Sequence, residues 1–84
     1  MADILVVDDA KFMRMTLTSI LGKGNHEVVG QGENGQEAVD KFNELQPDLI
    51  TLYITMPVKN GIEALKEIKA KPGEARVIMS HRAA

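Results

Sequence analysis

Residues 4–9 read Ile-Leu-Val-Val-Asp-Asp, an aliphatic run that ends in two carboxylates. A run without polar alternation is typical of a strand covered on both faces, as strands of parallel sheets are. We therefore predict that strand one spans Ile4 to Val7 and that Asp8 and Asp9 end it. Asp9 is also a candidate N-cap for the helix that should follow, because a carboxylate can accept a free amide of the first turn.

The rest of the chain continues this alternation of short apolar runs and amphipathic segments, with turn signals between them. Such a β-α-β-α order predicts an α/β fold with a parallel sheet. After the first strand, the predicted strands are Val28 to Gln31, Asp48 to Ile54 and Val77 to Met79. The predicted helices are residues 10–22, the segment from Asn34-Gly35 to Pro47, and the segment from Asn60-Gly61 to Pro72-Gly73.

Each predicted helix carries apolar residues at helical spacing, so each should bury one face. The expected buried faces are Met13, Leu17, Ile20 and Leu21 in the first helix, Ala38, Phe42 and Leu45 in the second, and Ile62, Leu65 and Ile68 in the third.

Polar residues stand where three of the strands end. Right-handed crossovers bring the carboxyl ends of parallel strands to one edge of the sheet, where ligands bind in such folds. Asp8, Asp9, Tyr53 and Ser80 should therefore share that edge. Two adjacent carboxylates suit Mg²⁺, which takes oxygen ligands and keeps several waters. A helix cap beside a solvated neighbour is the other interpretation of the pair.

Composition narrows the class of protein. The 84 residues are 44% hydrophobic and 26% charged, as expected of one globular domain over 1–84. The formal net charge is −2 and the ten basic residues are scattered, so we predict no direct nucleic-acid binding. There is no cysteine for a disulfide or a thiolate metal site. No apolar stretch is long enough to span a bilayer, and we predict a cytoplasmic protein without membrane association.

Motifs spread over nearly the whole chain carry a family resemblance. They are Val6-Val-Asp8-Asp9 with Phe12-Met-Arg14, Gly30 to Ala38, Pro47-Asp48, Ile54-Thr-Met-Pro57, and Asn60-Gly61. Together they resemble the receiver domain of bacterial response regulators, especially the chemotaxis type. The resemblance implies a doubly wound, flavodoxin-like parallel sheet. Because the chain lacks counterparts of a receiver's last two helices and fifth strand, we expect a truncated form with about four strands, in the order 2-1-3-4, and three helices.

The resemblance also implies roles for individual residues. Asp9 would be a direct Mg²⁺ ligand, Asp8 a ligand through water, and Thr55 the donor of a backbone carbonyl. Ser80 matches the hydroxyl that contacts the phosphoryl group and couples it to a conformational switch. Tyr53 stands where a receiver has the aspartate that accepts a phosphoryl group from a histidine kinase.

Tyr53 replaces the aspartate that phosphoryl transfer in this family requires. A neutral phenol cannot form an acyl phosphate, and it removes one negative charge from the metal site. Asp48 is no substitute, because it lies at the other end of the strand, roughly 16 Å away. The family's lysine at the end of a fifth strand also has no counterpart. We therefore predict no phosphorylation by a histidine kinase, and Mg²⁺ binding that is weak or absent.

Tyr53 itself has three interpretations. It fills space with its ring and leaves the hydroxyl at the pocket mouth, or it biases Ser80 and its loop towards one state, or it is an engineered substitution. A hydrolytic serine-histidine arrangement is disfavoured, because the adjacent Ser80 and His81 point to opposite faces of a strand. We therefore expect no enzymatic activity.

Two functions remain open. The chain is a receiver-like domain that contacts a histidine kinase or an output protein. Alternatively, it is a truncated or engineered half-fold whose main property is self-association. In that case we expect a homodimer, formed by strand exchange or by edge-to-edge pairing of strand four.

Overall fold

The structure is a computed structural model that describes residues 2–69 and 76–81, in which helices and strands alternate. The strands are β1 (Asp3–Val7), β2 (Glu27–Gly32), β3 (Leu49–Tyr53) and β4 (Arg76–Ser80), and the helices are α1 (Lys11–Lys23), α2 (Gly35–Leu45) and α3 (Gly61–Lys69). All strand pairs are parallel, and the order is β2-β1-β3-β4. The predicted four-stranded, doubly wound α/β fold with three helices is confirmed. The predicted helix stop at Pro72-Gly73 lies outside the described residues.

The registers of the sheet decide which side chains share a face. Val6 of β1 pairs with Thr51 of β3, which pairs with Ile78 of β4. Residues paired in register point to the same side of a parallel sheet. Val6, Thr51 and Ile78 therefore form a row across one face, while their chain neighbours face the other side.

The first strand is the most buried element. Ile4 to Val7 are all at most 1% exposed, as predicted for a strand covered on both faces. One face of the sheet packs against α2 and α3, where the buried cluster includes Leu5, Val7, Ala38, Phe42, Ile50, Leu52, Ala64 and Ile68. The other face carries α1, and Gln31 of β2 reaches that helix by donating from Nε2 to Thr18 Oγ1 at 3.2 Å.

The helices α2 and α3 each bury the face that packs on the sheet. Two residues differ from the prediction. Ala38 and Phe42 are buried, but Leu45 at the end of α2 is 36% exposed. In α3 the prediction for Ile62 is wrong, because it is 48% exposed while Ala64 is fully buried. At about 100° per residue, Ile62 lies about 120° around the helix from Ile68, whereas Ala64 lies within about 40° of it.

Helix α1 is the least buried of the three helices that the structure describes. No residue of α1 is buried, and Ile20, predicted to be inside, is 58% exposed. Met13, Leu17 and Leu21 are half-buried. The helix packs chiefly on β1 and β2, and Ile20 lies at the margin of the stripe that faces them. Phe12 is also exposed, on the outer side of α1.

Candidate functional site

The carboxyl edge of the sheet brings the predicted site residues together. Asp8 directly follows β1, while Tyr53 and Ser80 end β3 and β4 and pair in register. The Ile54 N–H donates to the Ser80 carbonyl at 3.0 Å, which extends this pairing by one residue. Thr55 follows in the β3–α3 loop and is exposed. The neighbourhood predicted for these residues is therefore present.

Asp8 makes hydrogen bonds to β2, to α1 and within its own loop. It is 3% exposed. Its N–H donates to the Gly32 carbonyl at 3.1 Å, its Oδ1 accepts the Ala10 N–H at 2.9 Å, and its carbonyl accepts from Arg14 Nη1 at 2.7 Å. The β1–α1 loop is thus tied to β2 and to α1.

The cap predicted for α1 is wrong. The N-cap is Ala10, without a side-chain cap hydrogen bond, and Asp9 is exposed. The helix begins one residue later than predicted, at Lys11, so Asp9 stands one position before the cap. Its neighbour Asp8 accepts the Ala10 N–H instead.

Tyr53 and Asp48 lie at opposite edges of the sheet. Tyr53 is half-buried and packs against the hydrophobic core. Asp48 accepts the Asp3 N–H on Oδ2 at 2.9 Å and donates its own N–H to the Asp3 carbonyl, also at 2.9 Å. Asp48 therefore belongs to the amino edge, as predicted, and contributes no carboxylate beside Tyr53.

The β3–α3 loop passes close to the end of β3. The Gly61 N–H donates to the Ile54 carbonyl at 2.7 Å, and a Cβ at position 61 would overlap the Tyr53 carbonyl. Only glycine fits such an approach without a shift of the backbone. Val58 in the same loop has a φ of 70°, which is strained for a β-branched residue. The loop that presents Thr55 is therefore shaped by tight backbone contacts.

Arg14 makes a contact at this edge that was not predicted from the sequence. Its side chain is only 12% exposed and reaches the Asp8 carbonyl. Its second guanidinium nitrogen lies 3.9 Å from Glu33 Oε2. Its position one helical turn after Ala10, pointing back towards the strand end, was the available signal. Arg14 also lines a cleft of about 330 Å³ together with Gln31, Gly32, Glu33, Glu37 and Lys41.

The oxygen atoms at the carboxyl edge determine which metal ion could bind there. In residues 2–69 and 76–81, no three His, Cys, Asp or Glu side chains form a group that could hold an ion. The edge offers the carboxylates of Asp8 and Asp9, and backbone carbonyls such as that of Thr55. These oxygens fit Mg²⁺ held by one or two carboxylates with waters completing the shell. Oδ1 of Asp8 also accepts the Ala10 N–H, and an ionised carboxylate can accept several hydrogen bonds at once.

Comparisons with known proteins agree with this arrangement. The family model described as Response regulator receiver domain matches residues 4–83. The chemotaxis protein CheY of Bacillus subtilis (strain 168) is 57% identical over 76 residues, which cover 90% of this chain and 63% of that protein. The chain thus spans less than two thirds of that relative's length.

Two solved structures share the fold. The response regulator domain of Thermotoga maritima CheB matches with a TM-score of 0.87 and 51% identity, covering 94% of this chain and 59% of that one. A chain of the CheX-CheY-BeF3-Mg+2 complex from Borrelia burgdorferi matches with a TM-score of 0.90 and 36% identity, covering 94% and 60%. Within the described ranges, no helix has the length and apolar character needed to cross a membrane.

Proposed function

The chain belongs to the response regulator receiver domain family of chemotaxis and two-component signalling, and we propose that it signals through protein contacts without being phosphorylated. Its partners would be a histidine kinase or an output protein of such a pathway, in the cytoplasm. A receiver relative that forms a complex with CheX supports this class of partner. In this role the chain is a binding module and carries out no catalysis.

The residue at the end of β3 carries the proposal. Tyr53 lies in register with Ser80, at the edge that also holds Asp8 and Asp9. A phosphoryl group transferred from histidine needs a carboxylate that can form an acyl phosphate, and a neutral phenol does not replace it. The packing of Tyr53 against the core supports a space-filling role.

The acidic pair would still hold Mg²⁺, though weakly. Asp9, which is exposed, would ligate directly, Asp8 through a water, and Thr55 through its carbonyl. When bound, the ion would neutralise negative charge on a phosphoryl-like ligand. Ser80 would donate its hydroxyl to such a ligand. The loss of a third carboxylate lowers the affinity, because each carboxylate contributes an oxygen and a charge.

A titration with Mg²⁺ and beryllofluoride, followed by amide chemical shifts, tests this proposal. We expect weak Mg²⁺ binding and no beryllofluoride adduct for the parent chain. Tyr53→Asp should bind Mg²⁺ at least about tenfold more tightly, because it restores a charged oxygen ligand.

Tyr53→Phe is the matched control, since it removes the hydroxyl without adding charge, and it should bind Mg²⁺ as the parent does. A beryllofluoride adduct on the parent chain, with shifts around Ser80, would contradict the proposal. So would Mg²⁺ affinities that are equal in Tyr53→Asp and Tyr53→Phe.

Self-association is the second candidate function, and β4 supports it. Within the part of the chain that the structure describes, no strand pairs with the outer edge of β4. Ile78 on this strand is 53% exposed. An unpaired, apolar strand edge is a template for pairing with another chain. A two-fold axis would pair β4 of one copy antiparallel with β4 of the other, giving a homodimer.

Light scattering after size-exclusion chromatography tests this candidate. We expect a dimer that Ile78→Lys converts to a monomer, because charged lysines on two edge strands disfavour their pairing. Val58→Lys is the control, since Val58 is 82% exposed and lies in the β3–α3 loop, not in β4. A parent chain that is monomeric at all concentrations, or an equal effect of both variants, would count against the dimer.

A further inference from the structure

We propose that Arg14 is a positioning residue for the acidic pair, holding the peptide between Asp8 and Asp9 so that both carboxylates are oriented for a divalent cation. The inference rests on the proposed metal site but adds a residue to which no role has been assigned. Arg14 would not touch the ion. It would act through the backbone of the loop that carries the ligands.

Arg14 contacts the backbone of the loop that carries the acidic pair. Its Nη1 donates to the carbonyl oxygen of Asp8 at 2.7 Å. That carbonyl belongs to the peptide linking Asp8 to Asp9, and a peptide is a rigid plane. A bond to its oxygen therefore restrains the ψ angle of Asp8 and the φ angle of Asp9 together. Both angles decide where the two carboxylates point.

The charge of the guanidinium strengthens this contact. A hydrogen bond from a charged guanidinium is about twice as strong as a neutral one. The Arg14 side chain is only 12% exposed, so water competes little for the Asp8 carbonyl. The Arg14 N–H also donates to the Ala10 carbonyl at 3.1 Å, within the first turns of α1. The guanidinium is thus anchored on a helix and restrains a loop.

Arg14 also lies near the end of the neighbouring strand. The second guanidinium nitrogen lies 3.9 Å from Glu33 Oε2, after the end of β2. Glu33 is 62% exposed, so this pair is a weak restraint on its own. Glu33 lies on the Nη2 side of the guanidinium, while Nη1 contacts Asp8. A lysine, with a single ammonium, would not reproduce both contacts.

Charge and orientation make opposite predictions about the cation. A positive side chain near two carboxylates repels Mg²⁺, so losing its charge alone would strengthen binding. Losing the hydrogen bond to the Asp8 carbonyl would instead weaken binding, because the ligands would have to be ordered at the moment of binding. The sign of the change therefore separates the two effects.

The test is a Mg²⁺ titration of the full 84-residue chain, followed by the amide shifts of Asp8 and Asp9, in the parent and in Tyr53→Asp. In both, Arg14→Met should weaken Mg²⁺ binding by about tenfold, in the range found for residues that orient metal ligands. Arg14→Lys should fall between Arg14→Met and the parent. Lys11→Met is the matched control, since it removes the same charge from an exposed residue of the same helix. It should leave binding unchanged or slightly tighter.

A second readout needs no metal. Hydrogen exchange of the Ala10 amide, which donates to Asp8 Oδ1, should be about tenfold faster in Arg14→Met and unchanged in Lys11→Met. If Arg14→Met does not fold, Arg14→Gln replaces it in both measurements.

Binding in Arg14→Met that is as tight as in the parent, or tighter, would overturn the inference and leave the proposed metal site intact. If neither the parent nor Tyr53→Asp bound Mg²⁺, the proposed metal site would fail, and with it the role towards a cation. Unchanged exchange at Ala10 in Arg14→Met would overturn the restraint on the loop itself.

Discussion

Val6 and Ile78 stand in one row across the same face of the sheet, yet Val6 is fully buried and Ile78 is 53% exposed. Thr51, between them, is half-buried. Both ends of the row are β-branched aliphatic residues inside strands, so local preference does not distinguish them. The difference lies in the cover, because α1 packs chiefly on β1 and β2. Burial is therefore a property of the position in the sheet and not of the residue type.

The largest effect expected from this comparison concerns two isoleucines on that face. Ile4 is 1% exposed and Ile78 is 53% exposed. Ile4→Ala should lower the free energy of unfolding by about 3 kcal/mol, because it opens a cavity in a closed core. Ile78→Ala should cost less than about 1 kcal/mol, since much of its side chain is already in water. Urea unfolding at low protein concentration measures both.

If both variants lowered the free energy of unfolding by the same amount, Ile78 would be as buried in solution as Ile4. The dimer proposed through β4 predicts where such burial would come from. In that case the cost of Ile78→Ala should rise with protein concentration, while the cost of Ile4→Ala should not.

A pair of glycines gives the next largest effect, and the two changes should have opposite signs. Gly61→Ala should cost about 2 kcal/mol, because its Cβ would overlap the Tyr53 carbonyl and force the loop to move. Gly22→Ala in α1 should stabilise by about 0.5–1 kcal/mol, because nothing lies within 4 Å of its Cβ and alanine favours the helix. Thermal unfolding of the two variants measures the contrast. A loss in both would mean that α1 is packed as closely as the loop after β3.

A smaller effect than the contrast between the two glycines is expected at Thr51, in the middle of the row. Thr51 Oγ1 is buried and has no hydrogen-bond partner among the residues that the structure describes. Thr51→Val keeps the shape and removes the unsatisfied group, so it should stabilise the protein by about 1 kcal/mol. Thr18→Val is the control, since the Thr18 hydroxyl donates to the Arg14 carbonyl and accepts from Gln31, and it should destabilise. Chemical denaturation measures both variants. If Thr51→Val does not stabilise the protein, the Thr51 hydroxyl has a hydrogen-bond partner in solution.

The order of elements was predictable, and the ends of the strands were predictable to within one residue, because both follow from short-range patterns. Hydrophobic runs followed by Asp8, Tyr53 and Ser80 marked strand ends that the structure places at one edge. The helix cap beside the end of β1 was predicted less well. The capping role of Asp9 depended on a helix start one residue earlier than Lys11, and single-residue shifts of this kind are not encoded in periodicity.

Helix faces could be predicted only in part. The periodicity that placed Ala38 and Phe42 inside also placed Ile62 and Ile20 inside, where the structure has them exposed. An apolar side chain at the margin of a stripe is buried only if a neighbouring element covers it. That cover comes from distant parts of the chain, which spacing alone does not show. The assigned roles of the site residues stay predictions that the titrations above would decide.

Hydrophobic periodicity and turn residues were enough to predict the α/β alternation, the parallel sheet and the carboxyl edge with Tyr53, since both act over a few neighbouring residues. Three other features depend on how the elements pack. Val6 is buried while Ile78 is 53% exposed, and a Cβ at position 61 would overlap the Tyr53 carbonyl. Arg14 donates to the Asp8 carbonyl. These three facts depend on which elements lie side by side. Contacts between residues distant in sequence exist only once the sheet has formed and the helices have packed against it.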